Sequence, residues 1–457
     1  MGLFGAMTTA VGGLRAQAFA LENVSGNIAN SQTTGFKRVD TTFSDLVPDS
    51  TPQLQLAGGV IARSRGTNNV QGDIQNASVD TFMAINGDGY FVVQKPSGFP
   101  DGQPVFTGVD LFSRRGDFQL DKDGYLVNGT GYYLKVLQVD GATGNVIGSI
   151  PEVMQFSNDF LPAQPTTLIE YRANLASYPR TGASDPDTPQ SELLDPADFT
   201  VDPTVTGTGT VVADDVAVFL QQSISGGAIT AFTSLGSPTN VQLRWAKIDA
   251  ATYGGTDQWE LFYLEDSTAT GAAVAWRNAG VTYEFDASGQ LTPPITSVAL
   301  TGVTVNGVPL EDMTLSHGAN GITQFADVNG NAQVNLLRQN GYPAGELQTI
   351  SVNEKGRIIA SYSNGRTLEM AEIVLASFNA DNALKRLDGG AFEATSESGP
   401  PQYGASGKII GKSLEGSNTD IADEFTKLIV TQQAYAANTR IVTTSDQMLQ
   451  ETLNMVR

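Results

Sequence analysis

SNTDIADEFTKLIVTQQAYAANTRIVTTSDQMLQETLNMVR, residues 417–457, carries Ile421, Leu428, Tyr435, Val442, Leu449 and Val456 at an unbroken seven-residue spacing, with Phe425 and Leu453 at the +4 offset. After Gly416 no Gly or Pro interrupts the run. Thr419 or Asp420 is placed to cap its start, and Asp423 and Glu424 complement the helix dipole in the first turn. The spacing predicts one helix of roughly 55 Å, at a rise of ~1.5 Å per residue. A straight helix drifts off a strict heptad, so a stripe kept this long calls for a partner helix more than for a globular core.

The other end of the chain repeats the pattern. Met7, Leu14, Leu21 and Ile28 are seven apart, with Val11 and Ala18 at the offset positions. Gly12, Gly13 and Gly26 each weaken an isolated helix by about 1 kcal/mol relative to Ala. This helix is therefore expected to order when a partner covers its apolar side. The expected inner packing comprises Met7, Leu14, Leu21, Ile28, Ile421, Phe425, Leu428, Tyr435, Val442, Leu449 and Val456.

Between the ends the period falls to two. TFMAINGDGYFVVQ (81–94) reads as strand, turn, strand, and DFQLDKDGYLVN (117–128) repeats the theme around Asp123-Gly124. TISVNEKGRIIASYSNGRTLEMAEIVLASF (349–378) reads as three strands, turning at Glu354-Lys355-Gly356 and at Asn364-Gly365. These regions flank a Thr-, Gly- and Val-rich stretch with strand candidates VQLRWAKI (241–248) and QWELFYLE (258–265), and SDPDTPQSELLDPADF (184–199) reads as an exposed loop.

The fold expected is mainly β, with N- and C-terminal α-helices forming a coiled-coil-like terminal domain and a split β domain carrying a nested β insert. Residues 1–30 with 417–457 form the helical domain, and 31–70 an extended connector. Residues 71–150 with 338–416 form the split β domain, and 151–337 the acidic β insert, as one or two domains.

Composition removes several classes of function. The 457 residues include no Cys and one His, which excludes disulfide scaffolds, zinc fingers and a Cys–His nucleophile pair. The net charge of −22 repels phosphate, so no nucleic-acid partner is expected. Within 182–337 three cations (Arg244, Lys247 and Arg277) stand against 18 carboxylates, a net −15. No run of about 18 apolar residues is present, so no helical membrane insertion is expected. No cleavable leader is evident in MGLFGAMTTAVGGLRAQ, and residue chemistry alone reads as cytosolic.

Signals for catalysis or metal binding are weak. His317 lies in LSHGANG (315–321) and is expected as an exposed loop side chain. DVNGN (327–331) imitates the start of a calcium loop but has Ala332 at the sixth place and Arg338 at the twelfth. Gly87-Asp88-Gly89 leads into a strand, not into the helix of a dinucleotide loop. No cofactor and no metal site is expected, and the chain does not read as an enzyme.

One cluster stands apart. Asn30 and Gly35 can stop a helix and reverse the chain, Phe36 can anchor the reversal, and Lys37 and Arg38 can meet acidic neighbours. ENVSGNIANSQTTGFKR (22–38) and the segment 417–457 together resemble the two ends of bacterial flagellar rod and hook axial proteins. GDGYFVV (87–93), FSRRGDFQLDKDGYLVN (112–128) and QNGYPAGELQTISVNEKGRIIASYSNG (339–365) resemble the hook branch of that family. Residues 151–337 resemble nothing specific.

The resemblance implies a structural subunit that polymerises into a curved, flexible tube and transmits motor torque from rod to filament. It places the chain in the extracellular flagellum, exported by the flagellar type III route without a cleaved signal peptide, which replaces the cytosolic reading. The partners implied are further copies in an open helical homopolymer, the distal rod, the hook cap, the hook-length control protein and the hook–filament junction protein. The heptad-bearing ends would form an inner tube, Asn30, Gly35, Phe36, Lys37 and Arg38 the connector, the split β domain a middle shell and 151–337 an outer one. Two rival readings are a distal rod protein of the same family, against which the large insert argues, and a secreted acidic β-rich enzyme using His317.

Overall fold

The computed structural model describes residues 3–46, 58–106, 108–141, 143–157, 159–404 and 407–455. The chain is mainly β with a long helix at each end, α1 (Leu3–Ala29) and α3 (Ile421–Met455); a short helix, α2 (Val216–Gln221), lies between them. Asp420 starts α3 as expected, its carboxylate accepting from the backbone N–H of Ala422 at 2.8 Å and of Asp423 at 3.3 Å.

Two compact units emerge: residues 1–158 with 347–457, and residues 159–346. The first is built on a sheet whose strands come from both sides of the second. Its order runs Leu347–Val352, Arg357–Tyr362, Thr367–Ile373, Tyr133–Val139, Tyr90–Gln94, Leu111–Ser113, Ala391–Glu393. The hairpins at 353–356 and 363–366 pair in antiparallel register, as their Gly-containing turns dictate. Phe91, Val93, Phe118, Leu134, Ile358 and Ile373 fill the core of this unit.

The stretch 31–70, expected as an extended connector, is instead organised around a two-stranded ribbon. β1 (Val39–Leu46) pairs antiparallel with β2 (Gly59–Gly66) along its whole length. Val39, Thr41, Thr42 and Phe43 on β1 and Val60 and Ile61 on β2 supply the strand character that the flanking Pro and Gly residues obscure. Residues 47–57 of that stretch lie outside the described residues.

The second unit contains two five-stranded sheets. One is mixed, centred on Leu168–Ala176, which pairs parallel with Met313–Ser316 and Ile322–Phe325 and antiparallel with Gln333–Gln339. The other is antiparallel, in the order Thr210–Val212, Val274–Phe285, Asp257–Leu264, Pro238–Asp249, Ile224–Phe232. Backbone bridges Leu161–Gly345 and Gln164–Tyr342 close the unit, which is why residues 338–346 belong to it by contact. The segment 184–199 is largely exposed, but Glu192 and Leu194 are buried.

His317 overturns its expected exposure. Met313, Leu315 and His317 continue one inward alternation, and His317 is fully buried. Its Nδ1 lies 2.9 Å from the Tyr171 carbonyl oxygen and its Nε2 2.9 Å from the Tyr283 hydroxyl. A carbonyl only accepts, so Nδ1 carries the proton and Nε2 accepts from Tyr283. The Tyr171 hydroxyl accepts from Trp245 Nε1 at 2.8 Å and donates to the Gly226 carbonyl at 2.9 Å. Burial lowers the His317 pKa, and protonating Nε2 takes away the acceptor of the Tyr283 proton. Both ring nitrogens are engaged in the core, so this imidazole is not free to act as a catalytic base.

All three Trp residues lie in 159–346, so their fluorescence reports unfolding of this unit. His317→Ala is expected to destabilise it by about 2–4 kcal/mol through two lost buried hydrogen bonds and a cavity. Because the folded pKa is depressed, the stabilisation from the neutral ring is complete above the unfolded value of about 6.5 and is lost as pH falls below it. Urea unfolding of wild type and variant should therefore converge from pH 7.5 to pH 5. A gap that stays constant over that range counts against the neutral-ring assignment.

Candidate assembly site

α1 packs against α3 and against both strands of the ribbon. On α1 the buried positions are Ala10, Gly13, Ala16, Ala20, Val24 and Asn27; on α3 they are Glu424, Thr431 and Ser445, with Asn438 half-buried between the last two. Small residues let the helices approach closely. A Cβ on Gly13 would stand 3.0 Å from the Asn438 amide, so Ala there requires the amide to shift.

The seam between the ends is thus polar and small, not the apolar stripe expected. Glu424, Thr431, Asn438 and Ser445 do follow a heptad, in the register beside the predicted one. Met7, Leu14, Leu21, Ile28, Leu428, Val442 and Leu449 flank the seam and are half-buried. Ile421, Phe425 and Tyr435 are 41%, 49% and 40% exposed. Val456 lies outside the described residues. Val430, Ile441 and Met448 of α3 are also exposed. The physical reason is competition: Asn27 and Glu424 satisfy each other only when they face inward, and that fixes the rotation of both helices. The Asn27 amide donates to Glu424 Oε2 at 3.0 Å, and Lys427 Nζ donates to Glu424 Oε1 at 2.6 Å and to Asp40 at 3.2 Å.

The structure brings the connector residues together. Asn30 ends α1, its side-chain amide donating to the Gly26 carbonyl at 2.9 Å and its Oδ1 accepting from Thr33 Oγ1 at 3.1 Å. Gly35 follows with φ of +65°, and a Cβ there would lie 2.9 Å from the Arg114 carbonyl carbon. A side chain is excluded by both conformation and space, at a cost of a few kcal/mol. The Phe36 ring is half-buried, with the Arg386 guanidinium 4.8 Å from its centroid. Arg38 takes part through its backbone, donating to Asn418 Oδ1 at 2.7 Å, while its guanidinium stands 3.8 Å from Asp40.

Lys37 is the centre of the connector. It is fully buried, and its ammonium donates to Glu415 Oε1 at 2.5 Å and to the Val70 carbonyl at 2.6 Å. Glu415, equally buried, also accepts from the Gly72 N–H at 2.9 Å and from Arg114 Nη1 at 3.4 Å. Arg114 in turn donates to the Gly87 carbonyl at 2.8 Å and lies over the Tyr90 ring. Burial pushes the Lys37 pKa down, and Glu415 opposes that shift. Asn418 completes the junction by donating to Thr67 and Val70 oxygens. Sequence reading foresaw acidic neighbours for Lys37 but not Glu415, Arg114, Asn418, Asn27 or Glu424 as partners. Only Ser413-Leu414-Glu415 held a signal, since its alternation turns Ser413 and Glu415 inward together.

Four family models match the chain. "Flagella basal body rod protein" covers residues 7–37, and "Flagellar hook protein FlgE/F/G D1 domain" covers 84–155. "Flagellar basal body protein FlaE D2 domain" covers 223–342, and "Flagellar basal body rod FlgEFG protein C-terminal" covers 411–455. The flagellar hook protein FlgE of Brucella suis is 29% identical over 464 residues, spanning 100% of both chains. The chain belongs to the flagellar hook protein family. The flagellar hook protein FlgE of Escherichia coli is 28% identical over 98% of this chain and 100% of its own. A solved structure, that of the Helicobacter pylori flagellar hook protein FlgE2, aligns with a TM-score of 0.49 and 14% identity over 75% of this chain and 100% of its own.

The chain is accordingly a structural subunit of the flagellar hook, part of the flagellum outside the cell, and the family is not an enzyme family. The distal-rod and enzyme readings are not favoured. Lys37, Arg114 and Glu415 fall one each into three of the matched segments, so the buried ion cluster ties together parts of the chain that the family models treat separately.

Removing one member of a buried ion cluster costs more than replacing the set by apolar groups. Glu415→Gln is expected to lower the stability of the first unit by about 3–5 kcal/mol. The double variant Lys37→Met with Glu415→Leu should recover part of that loss. Hydrogen exchange of peptides from Tyr133–Val139 in urea reads the first unit, while Trp fluorescence, confined to the second, should stay as in wild type. Equal losses in single and double variants would show that the cluster contributes by packing alone.

Proposed function

We propose that α1 and α3 build the inner tube of the hook, with the apolar strips that flank their polar seam turned toward neighbouring subunits. The carrying observation is the exposure of Ile421, Phe425, Tyr435, Val430, Ile441 and Met448 on one helix. Burying a Leu- or Val-sized side chain stabilises by about 1.5–3 kcal/mol. Contacts that do not close into a ring generate an open helical polymer, as a tube requires. Residues 31–70, with Asn30, Gly35, Phe36, Lys37 and Arg38, hold the helical ends to the β unit, and the acidic 151–337 faces solvent. Bending under torque is served by polar, wet contacts among such acidic surfaces. The further partners are the distal rod, the hook cap, the length-control protein and the hook–filament junction protein, reached after export without a cleaved signal.

Ordering of the ends is coupled to assembly in this reading, since the strips lack partners in one chain. Deleting 1–30 and 421–457 should leave a folded, monomeric β core that forms no tubes by negative-stain imaging. Leu428→Asp with Val442→Asp should abolish hooks and motility while leaving β-core melting unchanged. Hooks built by the terminally deleted chain would refute the inner-tube assignment.

Charge gives a second check. Screening at ~0.15 M salt acts over about 8 Å. The carboxylate excess in 182–337 makes neighbouring subunits repel, so added salt should speed polymerisation followed by light scattering. Assembly fastest at very low ionic strength would contradict the solvent-facing placement of the acidic unit.

A further inference from the structure

The antiparallel sheet of the second unit holds a carboxyl where its alternation calls for an apolar side chain. Glu260 is fully buried on the strand Asp257–Leu264. It stands opposite Ala246 on one neighbouring strand and Thr282 on the other. Its oxygens are met by neutral groups: Asn278 Nδ2 donates to Oε2 at 2.7 Å, and Thr282 Oγ1 lies 3.2 Å from Oε1. No cation reaches it among the described residues. The charged groups on this face are Asp202, whose charge disfavours ionisation of Glu260, Glu284, two residues beyond Thr282 on the same strand, and Arg244, two residues before Ala246 on the other neighbour, whose guanidinium is held by Ser223 and by the Leu220 and Ser223 carbonyls.

The two side chains that contact Glu260 also hold the segment 200–209. The Asn278 backbone N–H donates to the Gly209 carbonyl at 3.0 Å, and its side-chain amide lies 3.4 Å from the Pro203 carbonyl. Thr206 and Thr282 hydroxyls are 3.2 Å apart. The start of the segment is pinned elsewhere, Thr200 donating through its N–H and hydroxyl to Asp215 at 2.8 and 3.1 Å. Asp202 lies on the segment itself, capping its own turn through Thr204.

We propose that residues 200–209 form a proton-sensitive strap, closed on the strand Val274–Phe285 while Glu260 is protonated and loosened when that carboxyl ionises beside Asp202. With the proton present, the Glu260 hydroxyl donates to Thr282 Oγ1, and the Thr282 hydroxyl is free to donate outward to Thr206. With the proton gone, Thr282 turns its hydrogen inward to the carboxylate that Asn278 already meets, only Thr206 is left to donate across to Thr282, and a buried negative charge faces Asp202 on the segment itself. Burial first, with Asp202 adding, raises the Glu260 pKa to about 7, so the change falls near neutrality. The strap does not depend on the inner-tube reading.

Hydrogen exchange of the full chain, corrected for the intrinsic pH dependence and followed by mass spectrometry, tests it. Peptides covering 200–209 should lose protection about fivefold between pH 6 and pH 8.5, with a midpoint near 7, while peptides from Tyr133–Val139 hold theirs. Glu260→Gln, neutral at all pH, should keep the strap protected throughout. Asp202→Asn should move the midpoint to lower pH, and it remains decisive if Glu260→Gln fails to fold. A strap whose protection is independent of pH in wild type, an unchanged pH loss in Glu260→Gln, or an unmoved midpoint in Asp202→Asn each overturns the proposal.

Discussion

A carboxylate out of reach of water has to be surrounded by donors before the chain around it can close, and in the first unit that carboxylate is Glu415. Its donors come from Lys37, Gly72 and Arg114, far apart in sequence. Desolvating a charge costs several kcal/mol, which geometry must offset by placing opposite charge and N–H groups at short range. The closure is therefore all-or-none: a partly assembled cluster is worse than none. Glu415 stands six residues before α3, and Lys37 eight residues after α1. Forming the cluster fixes where both terminal helices leave the β unit, and Gly35 fits this geometry because its missing Cβ lets the turn lie against Arg114.

The heptad in 417–457 was legible and pointed correctly to a long helix, because spacing of apolar residues survives whatever the helix touches. Which face meets which partner was not legible. Rotation about the helix axis is set by Asn27 and Glu424, 397 positions apart, and no local pattern shows that an amide in one end and a carboxylate in the other need each other. The hairpins at Asp123-Gly124 and Asn364-Gly365 were readable because turn chemistry is local. The ribbon at 39–66 was not, since its strands are separated by Pro-rich sequence that reads as a linker.

His317 shows the limit of composition as a guide. A histidine between Ser316 and Gly318, before Asn320 and Gly321, has the neighbours of a loop residue. What reverses the reading is the parallel pairing of Met313–Ser316 with Leu168–Ala176, a contact across more than a hundred residues that carries the inward alternation one step further. Glu260 is the same lesson in reverse sign, an acid inside a strand pattern where most carboxylates of this chain lie outside. Burial disfavours the charged form of each, lowering the His317 pKa and raising that of Glu260, and both sit in the unit that carries most of the negative charge.

A subunit that must polymerise needs its internal helix contact to set orientation without consuming the surface that neighbours will use. The seam between α1 and α3 meets that demand. Ala and Gly on one side and Thr, Asn and Ser on the other allow close approach but bury little apolar area, so the seam adds modest stability and strong register, as a polar residue does at the centre of a coiled coil. The larger side chains flank it and remain partly open. Had Leu428, Val442 and Leu449 faced α1 squarely, the two ends would be more stable as a pair and poorer in free apolar surface. The polar register of Glu424, Thr431, Asn438 and Ser445 thus leaves the apolar register for contacts between chains, which is where the proposed inner tube requires it.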